Sequence, residues 1–138
     1  MVQNPPQGTP RISPYLLYED VGAAVDFVVS AFGFSEHFRM AGEDGTVNHA
    51  EVRFADGEVM MGNPGPDYRG PKTTGHLASM VHVYVDDVDA HFAHAKAAGA
   101  TILAEPEDQF YGDRRYSAAD PEGHHWHFAT HIEDVDLS

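Results

Sequence analysis

The chain has 138 residues, 8 Lys and Arg against 22 Asp and Glu, a formal net charge of −14, and no cysteine. Its length suits one ordinary domain with its own core, and a second independent domain is not expected. The charge repels a phosphate backbone or an anionic membrane surface, and no apolar stretch approaches the roughly 20 residues of a membrane span. Without cysteine, any metal has to be held by His, Asp or Glu. A soluble cytoplasmic protein that binds neither nucleic acid nor membrane is the expectation.

Residues 1–10 carry three prolines and no apolar periodicity, and read as a flexible lead-in. The β-rich run 12–18 follows. Asp20 is a natural helix N-cap, Val21, Val25, Val28 and Phe32 recur at helical spacing, and Gly33 suits the left-handed position that closes a helix. Three strand-like runs come next, at 35–40, 48–55 and 58–62. The turns Glu43-Asp-Gly45 and Asp56-Gly57 supply the Gly and Asp expected to take the positive φ of tight hairpins. Residues 64–75, rich in Gly and Pro, read as a linker, a plain connector in preference to a mobile lid.

The pattern then begins again. A strand and acidic cap occupy 79–87, and a helix starts after Asp87. In that helix Val88, Phe92 and Ala95 form the buried stripe, while His91, His94 and Lys96 lie off it, and Gly99 ends it. Strand-like runs at 101–107, 111–119 and 124–131 complete the half, the last two separated by Asp120-Pro-Glu-Gly123. Asp20 to Asp87 is an offset of 67, whereas Gly33 to Gly99 and Gly57 to Gly123 are offsets of 66. The chain is therefore read as an α+β protein of two tandem βαβββ modules, 11–63 and 76–135, with a tail at 136–138.

Strand-Asp-helix-Gly openings and an Asp-Pro-x-Gly turn before the last strand resemble the vicinal oxygen chelate superfamily, which includes glyoxalase I, bleomycin-resistance proteins and extradiol dioxygenases. The resemblance covers residues 11–135 and is nearest the PhnB-like branch. Its markers are Asp108-Gln-Phe-Tyr-Gly-Asp-Arg114, Asp120-Pro-Glu-Gly-His-His-Trp126 and Ala129-Thr-His-Ile-Glu-Asp134. The resemblance implies the glyoxalase/bleomycin-resistance/dioxygenase fold, with mixed sheets curled around a cavity between the modules, commonly within a homodimer.

In the superfamily's metal-dependent members, ligands that are commonly His, Glu, His and Glu come from the first and fourth strands of each module. They lie seven residues before the acidic cap and four after the turn glycine. Those positions are here Ser13 and Met80, Met61 and His127. Only His127 suits a hard or borderline divalent ion, so no inherited metal or other cofactor is expected. The alternative is a divalent metal ion in a shifted site of His82, His127 and Glu51, because side chains two apart on a strand share a face.

Without that metal, the expected function is binding of a small organic molecule, aromatic or hydrophobic, in the stoichiometric manner of bleomycin resistance. Ser13 and Tyr15, Met80, His82 and Tyr84, with Met61 and His127, would line the cavity. Tyr111 and Arg114 would rim it beside Phe110, where Arg114 either holds an anionic group or pairs with Asp108 or Asp113. A lyase, isomerase or dioxygenase at the shifted metal site is the alternative. Catalysis without metal would rest on His82 or His127 as general base, with no evident second group. No Ser-His-Asp spacing, P-loop or dinucleotide fingerprint is present.

Overall fold

The computed structural model describes residues 2–138; Met1, the first residue of the lead-in expected over 1–10, lies outside them. The chain divides into two compact units. The first runs to Val29 and resumes over Gly33–Arg69; the second takes Ser30–Phe32 and Gly70–Ser138. Among the described residues, no helix is long and apolar enough to cross a membrane.

In the first unit, Asp20 caps helix α1 (Val21–Phe32) by accepting the Ala23 N–H at 3.0 Å, and Gly33 closes it at φ 80°. The expected stripe of Val21, Val25, Val28 and Phe32 is fully buried. Strands β1 (Tyr15–Leu17), β2 (Ser35–Ala41), β3 (Val47–Phe54) and β4 (Gly57–Gly62) form a mixed sheet in the order β1-β4-β3-β2, with β1 parallel to β4. β1 is shorter than the run 12–18. Alternation sorts each strand: Leu16, Ala50, Val52, Val59 and Met61 point into the core, and Tyr15, His49, Glu51, Arg53, Glu58 and Met60 share the other, open face. The β3–β4 hairpin departs from expectation, because Ala55 takes the positive φ, at 52°, and not Asp56 or Gly57.

The stretch expected as a linker, 64–75, contains a single helical turn, α2 (Pro71–Thr74). The Lys72 N–H donates to the Glu122 carbonyl at 3.0 Å, which fastens α2 to the Asp120–Gly123 turn of the second unit. A Cβ on Gly123 would lie 2.7 Å from the Lys72 nitrogen, so this approach requires glycine there.

The second unit repeats the plan with β5 (Met80–Tyr84), α3 (Val88–Ala97), β6 (Thr101–Asp108), β7 (Asp113–Ala119) and β8 (His125–His131). Its sheet order is β5-β8-β7-β6, with β5 parallel to β8. Asp87 caps α3 through the Ala90 N–H at 3.1 Å. Trp126, Phe128, Tyr116 and Phe32 are fully buried together, Phe32 and Phe128 having ring centroids 4.8 Å apart. Asp120 holds the last turn closed by accepting the Glu122 and His124 N–H groups and the Trp126 indole N–H, each at 3.1 Å.

His91 corrects the helical pattern. It does not lie off the buried stripe: its ring centroid is 4.3 Å from that of Phe128, Nδ1 is 2.6 Å from the Tyr116 hydroxyl, and Nε2 is 2.8 Å from the Phe32 carbonyl. A buried hydroxyl and a helix-end carbonyl both need partners, and one imidazole serves both. Burial lowers the His91 pKa below its ordinary value and raises that of Tyr116.

Candidate functional site

Strand register builds a concentrated set of polar groups on the open face of the second unit. β5 sets Met80 opposite His125, His82 opposite His127 and Tyr84 opposite Ala129. On the other side of β8, β7 sets Ser117 opposite His127, Arg115 opposite Ala129 and Asp113 opposite His131. Paired residues share a face, so Met80, His82, Tyr84, Arg115, Ser117 and His127 lie together, while Tyr116, Trp126 and Phe128 turn into the core.

His127 is the most enclosed ring of this face, at 8% exposure, beside Ser117 at 5%. Its Nδ1 lies 2.8 Å from the Ser117 hydroxyl, and its buried Nε2 has no hydrogen-bond partner among the described residues. Burial, then the Arg115 charge, hold its pKa below the ordinary histidine value. His82 is lowered by the same two causes in the same order, with Asp113 opposing. Both rings are therefore neutral near pH 7. Arg115 donates to the Tyr111 hydroxyl at 3.3 Å and forms no ion pair among the described residues.

One end of this face is tied by a chain of hydrogen bonds. The Tyr84 hydroxyl donates to Asp113 at 2.9 Å, His131 Nδ1 donates to the other Asp113 oxygen at 2.8 Å, and His131 Nε2 donates to Asp134 at 2.6 Å. Burial would raise the Asp113 pKa, but the bonds from His131 and Tyr84 outweigh it and hold the carboxyl below its usual range. The bonds to Asp134 and Asp113 raise the pKa of His131. Gly112, at φ 99°, lets its carbonyl accept the Ile132 and Glu133 N–H groups; a Cβ there would collide with the Glu133 carbonyl oxygen.

The open face of the first unit carries a second network. The Tyr15 hydroxyl lies 2.9 Å from His49 Nδ1, and His49 Nε2 lies 2.9 Å from Glu51. Glu58 accepts from Ser13 at 3.3 Å and from Arg53 at 3.0 Å. One ligand atom each from His37, Glu51 and Glu58 all lie within 4.8 Å of one another.

Met80, His82, Tyr84 and His127, read from the sequence as lining residues, thus come together in the second unit, and Ser13 and Tyr15 meet the network of the first. Two of the residues named from the sequence are placed elsewhere. Met61 is fully buried in the core opposite Leu16, and its neighbour Met60 occupies the open face opposite Tyr15. Arg114 turns away from the open face, its guanidinium bound to Asp108 at 2.9 Å and to Asp89 of α3 at 3.1 Å, which leaves Arg115 as the cation beside the histidines. Of the shifted metal set, His82 and His127 are neighbours in the second unit, while Glu51 belongs to the first unit and groups with His37 and Glu58.

Arg115, Ser117, His37 and His49 were missed from the sequence. The cap-to-cap offset of 67, carried into the first and fourth strands of each half, takes Tyr15 to His82 and Met60 to His127. Counting from the turn glycines uses 66, because β4 starts at Gly57 itself whereas β8 starts two residues after Gly123. A slip of one residue exchanges the faces of a strand.

Residues 11–128 match the family model described as Glyoxalase/Bleomycin resistance protein/Dioxygenase superfamily. The uncharacterized proteins Rv0887c of Mycobacterium tuberculosis and Mb0911c of Mycobacterium bovis are each 38% identical over 133 residues, covering 93% of this chain and 78% and 88% of theirs. The crystal structure of TioX from Micromonospora sp. ML1 is similar with a TM-score of 0.71 and 36% identity, over 94% of this chain and 100% of that one. The fosfomycin resistance protein FosX from Listeria monocytogenes shares the fold, with a TM-score of 0.65 at 12% identity over 94% of this chain and 95% of its own. Two mixed sheets of βαβββ order, matched over this length, place the chain in the glyoxalase/bleomycin resistance/dioxygenase superfamily.

Proposed function

We propose that the protein binds a small organic molecule of aromatic or hydrophobic character on the open face of β5–β8, as a homodimer and without a metal at the superfamily's inherited positions. The observation that carries this reading is the enclosed Nε2 of His127, unpartnered among the described residues, on a face shared with Met80, His82 and Tyr84, where Tyr111 is bonded to Arg115. Leaving such an atom unpaired costs about 1–3 kcal/mol, which a ligand's polar group recovers on binding. The thioether and rings supply apolar area, and the imidazole fixes orientation.

The donor chemistry at the inherited metal positions does not fit a divalent ion. The Ser13 hydroxyl donates to Glu58, Met61 is sealed in the core, and Met80 offers only a thioether; with the register corrected, the open-face set is Tyr15, Met60, His82 and His127, a phenol bonded to His49, a thioether and two imidazoles, with no carboxylate among the four. A metal-dependent lyase, isomerase or dioxygenase is the second reading, favoured by the His37, Glu51 and Glu58 cluster. Against it, Glu51 is hydrogen-bonded to His49, and Glu58 to Arg53 and Ser13, so both carboxylates are stabilised without an ion.

Two measurements on the purified protein test the proposal. Elemental analysis is expected to find metal far below stoichiometric, and near-stoichiometric Zn, Ni, Fe or Mn lost in Glu58→Gln would establish the second reading. A thermal-shift series with 2-naphthol, quinoline and 2-naphthoate is expected to raise the unfolding midpoint with at least one compound, less so in His127→Ala. If no compound of the series moves the midpoint, the binding reading fails.

A further inference from the structure

We infer that the molecule taken by the β5–β8 face is an organic anion, an aromatic carboxylate or its like, whose acidic group is held between the Arg115 guanidinium and Nε2 of His127; this rests on the binding reading above.

The first argument is charge. In a chain with 22 acidic and 8 basic residues, Arg39, Arg53 and Arg114 are all ion-paired. Among the described residues Arg11, Arg69 and Arg115 form no ion pair; Arg11 and Arg69 are exposed, whereas Arg115 is half-buried, and Glu107 lies opposite it in the β6–β7 register. A guanidinium has five N–H donors, and among the described residues the only side-chain bond from Arg115 goes to the Tyr111 hydroxyl. The remaining donors are those that match a planar carboxylate.

The second argument is the state of the neighbouring groups. Asp113, the carboxylate on the same face, is already matched by Tyr84 and by His131, so it neither claims Arg115 nor strongly repels an incoming anion. His127 is held as a neutral ring. Ser117 can donate to Nδ1 or accept from it, so the ring is able to take the tautomer that carries the proton on Nε2. In that form Nε2–H is a donor aimed at the same acidic group, and binding removes the one buried polar side-chain atom without a partner among the described residues. Met80, His82 and Tyr84, with Tyr111 beside Arg115, then meet the ring system that bears the acid.

Isothermal titration of the whole protein with 2-naphthoate and its neutral isostere 2-naphthamide tests this. The expected result is binding of naphthoate at least about tenfold tighter than naphthamide. Arg115→Met is expected to abolish the difference and Arg114→Met to keep it, with thermal unfolding used to verify that both variants are folded. Equal affinity for the two probes in the unaltered protein, or a preference that survives Arg115→Met, overturns the anion assignment while the binding reading stands. Binding of neither probe overturns the anion assignment, and the binding reading falls with it only if 2-naphthol and quinoline also leave the unfolding midpoint unmoved.

Discussion

Tyr15 and Met60 stand opposite one another where β1 runs parallel to β4, and the same register sets Leu16 opposite Met61. Two adjacent methionines therefore have opposite fates, one at the open face and one in the core. Met61→Ala is expected to cost about 2–5 kcal/mol through lost burial and a residual cavity, and Met60→Ala less than about 1 kcal/mol. Urea denaturation of the two variants checks this; equal losses would contradict the placement of these side chains.

Burial of the His91 ring against Phe128 makes stability depend on pH, with the bond to the Phe32 carbonyl opposing it. Burial lowers the His91 pKa from its ordinary 6.5, so as pH falls through about 6.5 the unfolded chain takes up a proton before the folded one does, and stability declines across that window. His82 and His127, also lowered, act in the same sense. His131, raised by Asp134 and Asp113, acts oppositely: its contribution is present below 6.5 and lost as pH rises through its folded value, and solvent screening weakens it. The urea midpoint is expected to fall between about pH 7 and about pH 5.5. His91→Gln should flatten that slope and lose about 1–3 kcal/mol at neutral pH, because the buried Tyr116 hydroxyl loses its partner.

Gly112→Ala would drive a methyl group into the Glu133 carbonyl at a backbone angle that L residues rarely adopt. A loss of about 3 kcal/mol or more is expected. Because the Gly112 carbonyl holds the Ile132 and Glu133 N–H groups, amide exchange in the variant should quicken at those two residues before it does in β8. Unchanged protection there would contradict the assigned role.

Ala55 is, among the described residues, the only non-glycine at positive φ. Relieving that strain with Ala55→Gly is expected to stabilise the protein by about 0.5–1 kcal/mol, the gain being reduced by glycine's greater freedom in the unfolded chain. Thermal unfolding at fixed pH measures it, and a lower midpoint would mean that the turn tolerates Ala without strain.

The fold was legible in the sequence because its determinants are local and repeated: Asp20 and Asp87 as caps, Gly33 and Gly99 as stops, and the Asp120 turn all act within a few residues. The candidate site was harder to read. Its lining depends on strand phase, and phase is set by where each hairpin begins. The Ala55 turn begins β4 earlier than a glycine-based turn predicts, and so Met61 took the place that belongs to Met60. Arg114 and Arg115 are chemically alike, and only the pairing of β7 with β8 decides which of them meets Asp89 and which meets the histidines. His91 shows a third limit, because its partners Tyr116 and Phe32 are 25 and 59 residues away.

The assignment of Ser30–Phe32 to the second unit bears on how the chain can be divided. A cut after Arg69 looks natural from the repeat, yet a fragment of Gly70–Ser138 would lack the Phe32 ring between Trp126 and Phe128 and the carbonyl that receives His91. Such a half would expose an aromatic socket. A synthetic peptide corresponding to α1, added in trans, is the natural plug for it, so a duplicated sequence here encodes halves that are not interchangeable spare parts.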